Sequence, residues 1–149
     1  MNSVAEDERQ IYRKIIQIAR AMDERDWSTI EAIAAPDATG DFGNGQLTSA
    51  EEIVALLRSF LDECGPTQHL IGNVLIEVDG DKATSRAYVA DMHLGTGHLE
   101  GQYFRTLGDY HDSWSRIARG WKLTRRCKIH TGTMGNIEVL AHAIPSPPI

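Results

Sequence analysis

The stretch Gln68–Leu94, QHLIGNVLIEVDGDKATSRAYVADMHL, holds two extended runs joined by Asp79-Gly80-Asp81. Apolar residues dominate from Gln68 to Val78, a glycine-centred acidic turn follows, and alternation resumes from Lys82 to Leu94, so the segment predicts a long antiparallel hairpin. Downstream, the glycine-rich turn Gly95 to Gly101 leads to a third long strand through Tyr103, Tyr110 and Trp114. Arg119-Gly120 then turns the chain into a fourth, from Trp121 to Thr131.

Upstream of the hairpin the apolar period is helical. Ile11, Ile15, Ile18, Ala19 and Met22 predict a long amphipathic helix from about Ala5 to Glu24. Asp26 is placed to cap a short second helix carrying Trp27, Ile30, Ile33 and Ala34, which Pro36 stops, and Ala38 to Phe42 reads as a weak strand. Ser49 and Glu52 have capping-box spacing ahead of Ile53, Leu56, Leu57, Phe60 and Leu61, and Gly65-Pro66 ends that third helix. Three helices followed by four long strands is α+β order, expected as one domain over 1–149. Strands this long must twist and curl, and three helices cover only one face, so a cone or half-barrel with an internal pocket follows. The tail, about 133–149, has a short helical run at Ile137 to Ala141 and then Pro145, Pro147 and Pro148, and is a candidate lid for the pocket.

Composition narrows the function classes. Hydrophobic residues make up 42% and charged residues 24% of 149, which suits a chain with its own core and argues against disorder. Asp and Glu outnumber Lys and Arg by 21 to 15, and the basic residues are scattered, so no stripe for a phosphate backbone is present and nucleic acid is not an expected partner. The polar start, Met1 to Gln10, and the absence of a long apolar run point to a cytoplasmic protein with no membrane partner. Cys64 and Cys127 lie far apart and read as small buried hydrophobes; a nucleophilic Cys127 beside Arg125, Arg126 and Lys128 is the alternative.

The runs Met22-Asp23-Glu24-Arg25-Asp26-Trp27, Thr67-Gln68-His69-Leu70-Ile71-Gly72 and Gly120-Trp121-Lys122-Leu123 together resemble the SnoaL-like branch of the NTF2-like superfamily. Within that branch the pattern is nearest to the scytalone dehydratases. The resemblance implies a strongly curved, mainly antiparallel sheet and a pocket for a small, aromatic or polyketide-like molecule. It implies a homodimer or homotrimer, and it matches Asp23, His69 and His93 to the residues that do dehydratase chemistry. Where the dehydratases carry pocket tyrosines this chain has Met22 and Phe42, and Tyr110 stands where they carry an asparagine.

The chemistry of the three residues fits that assignment. A carboxylate on one nitrogen of an imidazole fixes its tautomer and strengthens it as a base near neutral pH, which is the expected role of Asp23 toward His69. A second imidazole facing it would act as the auxiliary acid of an elimination. His93 shares a strand face with Val89 and Asp91, a mixed face, and Asp91 is an alternative partner for it. Read without the resemblance, a strand histidine is more often a surface or hydrogen-bonded core residue, and Asp23 could merely cap a helix. Tyr88, Tyr103 and Tyr110 are candidate pocket aromatics, and Arg105 and Arg125 candidate anion holders. His98, His111, His130 and His142 form no metal-ligand spacing, and no phosphate loop, dinucleotide fingerprint or serine nucleophile motif appears, so neither metal nor cofactor is expected. The expected activity is that of a cofactor-independent lyase, by loss of water or related carbon–carbon cleavage. An isomerase or cyclase and a non-catalytic binding protein are the alternatives.

Overall fold

The computed structural model describes residues 2–118 and 120–141; Arg119 of the last hairpin turn, His142 and the proline-rich end of the expected lid lie outside the described residues. Helix α1 spans Val4–Glu24. Ser3 caps it, its Oγ accepting from the Glu6 N–H at 3.2 Å, and Ile11, Ile15, Ile18 and Met22 are almost wholly buried along one stripe. Each such side chain contributes about 1.5–3 kcal/mol on burial. Helix α2, Trp27–Ile33, starts at the Asp26 cap as expected. Strand β1, Ala34–Asp41, begins earlier than the sequence suggested and contains Pro36. Its pairing with the neighbouring strand is interrupted between Ala34 and Thr39, so the missing proline N–H costs no ladder bond.

A two-residue strand, β2 (Gln46–Leu47), folds back on β1 and leads to α3, Ala50–Leu61. Ser49 Oγ accepts from the Glu52 N–H at 3.1 Å, and the Glu52 carboxylate reaches back to the Thr48 N–H at 2.6 Å. The box therefore closes one residue further out than its usual form. Four long strands follow: β3 (Thr67–Asp79), β4 (Lys82–Leu94), β5 (Tyr103–Ile117) and β6 (Gly120–Gly135), with a short 3-10 turn at Gly97–Leu99 and a last helix, α4, at Glu138–Ala141. The sheet order is β2-β1-β6-β5-β4-β3, antiparallel throughout except for the parallel β1–β6 pair. The sheet is mixed α+β in company, curved and unclosed, with α1, α2 and α3 against its inner face.

Three extra residues re-aim the strands. On β3, Asn73-Val74 oppose the single residue Ala87, with Asn73 at φ 50°, so the inward phase changes from Thr67, His69 and Ile71 to Val74, Ile76 and Val78. On β6, Thr124 and Thr131 are each one residue too many for β5. The inward phase there runs Trp121, Leu123, then Arg126, Lys128 and His130, and then Thr133.

Candidate active site

Arg25 sets the position of the candidate base. It occupies the left-handed C-cap of α1 at φ 57°, and its guanidinium donates to Leu61 O, Gly65 O and Met22 O at 2.7–2.9 Å, and to Thr67 Oγ1 at 2.9 Å. One side chain thus ties the end of α1, the end of α3 and the start of β3 together. Asp23, one turn-end residue away, then meets β3 edge-on. Its carboxylate accepts from Thr67 Oγ1 at 2.9 Å, from the His69 N–H at 3.1 Å and from His69 Nδ1 at 2.6 Å. Burial opposes ionisation of Asp23, but the His69 side-chain and backbone bonds together with Thr67 outweigh it and hold the carboxyl below its ordinary value. An ionised carboxylate only accepts, so His69 Nδ1 carries a proton, and in the neutral ring Nε2 holds the lone pair. The His69 side chain is 5% exposed and lines the cavity.

His93 approaches from β4. The face that looked mixed is the inner one: Val89, Asp91 and His93 are all buried, and the His93 ring stands edge-on to that of His69 with centroids 5.7 Å apart. His93 Nδ1 donates to Phe104 O at 2.9 Å. Burial pushes its imidazole below the ordinary value, against the opposing pull of Asp91, so His93 rests neutral near pH 7. A neutral ring with its proton spent on Phe104 O is a proton acceptor and relay rather than a standing acid.

Asp91 is not chiefly the partner of His93, from whose Nδ1 it lies 3.6 Å. Its oxygens accept from the Thr106 N–H and Thr106 Oγ1, both at 2.7 Å, and from Lys128 Nζ at 2.9 Å. Burial raises the carboxyl, but Lys128 and Thr106 more than compensate and keep it ionised. His69, Asp91 and His93 bring one ligand-type atom each within 4.8 Å of one another, a grouping that spacing along the chain did not reveal. Asp23 and Phe104 O occupy the two Nδ1 atoms and leave both Nε2 atoms open, but Asp91 is taken up by Thr106 and by the Lys128 ammonium, which repels a second cation there. The set suits proton transfer better than metal binding.

Around these groups lies a cavity of about 300 Å³ whose mainly apolar wall includes Met22, Phe42, Phe60, Phe104 and Tyr110, with Asn44, His130 and Thr133 as its further polar members. Three of the expected pocket residues, Met22, Phe42 and Tyr110, are there. The other four are corrected. Tyr88, Tyr103 and Arg105 alternate onto the outer face of the sheet, where Tyr88 and Tyr103 are 58% and 45% exposed, and Tyr88 lines an external groove with Leu70 and Leu107. Arg125 is exposed because the extra residue Thr124 turns it outward; Arg126 points in instead, paired with Asp112 and stacked 4.0 Å from the Tyr110 ring. Cys64 and Cys127 are half-buried rather than core residues. Burial raises the Cys64 thiol, which weakens it as a nucleophile. Of the expected lid, Ile137 and Leu140 reach the cavity wall.

No helix among the described residues is long and apolar enough to cross a membrane. The SnoaL-like domain family matches residues 3–127. The uncharacterized protein Rv2910c of Mycobacterium tuberculosis is 29% identical over 130 residues, spanning 85% of this chain and 88% of its own. Among solved structures, a candidate scytalone dehydratase from Novosphingobium aromaticivorans superposes with a TM-score of 0.80 at 22% identity, over 89% of each chain. The hexachlorocyclohexane dehydrochlorinase LinA type 2 superposes at 0.74 with 18% identity, over 89% of this chain and 88% of its own. At these identities the likenesses show the shared NTF2-like fold.

Proposed function

Because the chain belongs to the SnoaL-like domain family, we propose that it is a cofactor-independent lyase acting on a hydroxylated aromatic small molecule. The observation that carries the proposal is the Asp23–His69 pair at 2.6 Å, set at the wall of an apolar cavity with the neutral His93 ring 5.7 Å away. His69 Nε2 takes a proton from the carbon beside a carbonyl, and Asp23 stabilises the imidazolium that results. His93 relays that proton to the departing oxygen, so water leaves and the double bond forms without a net change of enzyme protonation. A base and a relay of this kind contribute typically about 100- to 10,000-fold each. Phe42, Phe60, Phe104 and Tyr110 favour an aromatic body for the substrate. Elimination is also the reaction named for both fold neighbours, the dehydratase and the dehydrochlorinase.

The same proton removal begins an isomerisation, and product mass separates the two: unchanged for isomerisation, reduced for elimination. The test is a panel of hydroxylated aryl ketones followed by absorbance and mass, with wild type beside His69→Ala. Mass loss with a new conjugated chromophore that requires His69 supports the lyase. Ligand binding without turnover across the panel would instead favour a binding protein. Exposed Leu70, Tyr88 and Ile129 on the outer sheet face support the homodimer or homotrimer, which light scattering reads directly.

A further inference from the structure

Lys128 entered the sequence reading only as a neighbour of Cys127, and the structure puts it in the pocket. Its side chain is 9% exposed, and the residue lines the cavity on β6, three strands along the sheet from His69 on β3. An ammonium has three donors. Two are spent, on Asp91 Oδ2 at 2.9 Å and Thr106 Oγ1 at 2.8 Å, and the third has no protein partner among the described residues.

Beside it is the Tyr110 phenol. Burial raises Tyr110 against the pull of Lys128 and Arg126, so its hydroxyl stays protonated and able to donate. Among the described residues that hydroxyl too has no hydrogen-bond partner, while Arg126 fixes the ring from one side at 4.0 Å and Lys128 stands 6.0 Å from its centroid.

Gly108 explains how the lysine gets there. A Cβ at Gly108 would lie 2.9 Å from Lys128 Cε and 3.2 Å from Ile129 O, so a side chain there would push the lysine stem aside. Position, an unspent donor and a cleared path converge on one group.

We propose that Lys128, with Tyr110, is the oxygen-binding cation of this pocket, and that its ligands are phenols or enolisable aryl ketones held as the phenolate or enolate. The inference rests on the lyase reading for its pocket and deepens it by naming the substrate's reacting group. Asp91 offsets the lysine's charge at a distance, and what a ligand oxygen meets is the local donor capacity of the third ammonium N–H, since the other two are spent on Asp91 and Thr106. Negative charge that develops on the substrate oxygen as His69 removes the proton finds the third ammonium N–H and the Tyr110 hydroxyl already in place.

The test is an equilibrium titration that needs no turnover, using 4-nitrophenol, whose phenolate absorbs separately from the phenol. It is run on the full chain in wild type, in His69→Ala, and in Lys128 variants built on the His69→Ala background, where proton transfer to that imidazole cannot mimic the effect. The bound probe should ionise about one pH unit below the free probe, a tenfold preference for the phenolate, in both wild type and His69→Ala. Lys128→Met should abolish the preference, Gly108→Ala should weaken it, and Lys128→Arg should retain its sign. Lys128→Met strands the buried Asp91 charge, so Asp91→Asn/Lys128→Met is the folded control and should also lose the preference. Equal binding of phenol and phenolate by wild type, or an unchanged preference in the folded Lys128 variants, overturns the assignment while leaving the pocket intact. If no phenol binds at all, the pocket reading fails and the assignment with it.

Discussion

Replacing Asp23 by Asn changes one atom's chemistry and tests the base directly. The carboxylate now accepts three hydrogen bonds, from Thr67 Oγ1, the His69 N–H and His69 Nδ1. In Asp23→Asn an amide oxygen in the Oδ2 place keeps the backbone bond, which puts the amide NH2 in the Oδ1 place, facing both His69 Nδ1 and the Thr67 hydroxyl. A donor there forces the imidazole proton onto Nε2, the nitrogen that must accept the substrate proton. The ground-state structure survives, because the backbone bond is kept and only the two side-chain contacts at Oδ1 change direction, at a cost of about 2–3 kcal/mol in stability. Catalysis should fall far more, by about 100- to 10,000-fold in kcat/KM, or roughly 3–5 kcal/mol in barrier. Two assays separate the effects: nitrogen-15 long-range correlation spectra report the His69 tautomer without substrate, and turnover of the substrate found in the screen reports the barrier. A proton on Nδ1 in the wild type and on Nε2 in the variant, with activity lost, is the expected pair of results. A variant with wild-type tautomer and kcat/KM within threefold of wild type would refute the reasoning.

Three further outcomes follow from the geometry. Arg25→Ala should lower stability by about 2–3 kcal/mol in denaturant titration and reduce activity, and Arg25→Lys should not restore it, because one ammonium cannot span four acceptors on three elements. The Arg116 fork on Asp7, joined by the Trp121 indole, holds the Asp7 carboxyl down to about 2 from an ordinary 3.8. The unfolded chain therefore binds the proton first, and this stabilisation is full above about pH 4 and fades toward pH 2; acid unfolding of Asp7→Asn should lack that slope. His93 is depressed below its ordinary 6.5, so again the unfolded state takes up the proton first and stability falls as pH drops below about 6.5. Urea midpoints of wild type and His93→Gln from pH 8 to 5 should converge toward the acid end, and parallel curves would contradict the burial of that ring.

Much of this architecture was legible because local and long-range preferences agree. Asp26 and Ser49 cap the helices they precede, the apolar stripes of α1 and α3 face the core, and Gly80 turns the hairpin as its sequence suggests. Asp23 and His69 were found through the motifs around them. What was missed has physical causes. Alternation already separated Tyr88 from Val89, Asp91 and His93, and Tyr103 and Arg105 from Tyr110, so their outward aim could have been read from parity alone. Arg125 and Lys128 could not be assigned that way, since Thr124 and Thr131 each reverse the phase of β6 and threonine in a strand carries no signal of a bulge. Arg25 resembles any solvated residue after a helix; its role exists only because the ends of α1, α3 and the start of β3 converge on it.

In the proposed function, proton abstraction by His69 begins elimination and isomerisation alike, and deuterium uptake tests that step without knowledge of the final product. Aryl ketones that bind the protein are incubated in deuterium oxide with wild type or His69→Gln, and isotope content beside the carbonyl is read by mass spectrometry. Deuterium, or a dehydrated product, appearing with the wild type and at least 100-fold more slowly with His69→Gln is the predicted result. Ligands that bind tightly yet acquire no deuterium and form no product, or that do so equally in both proteins, would contradict the assignment of His69 as the base.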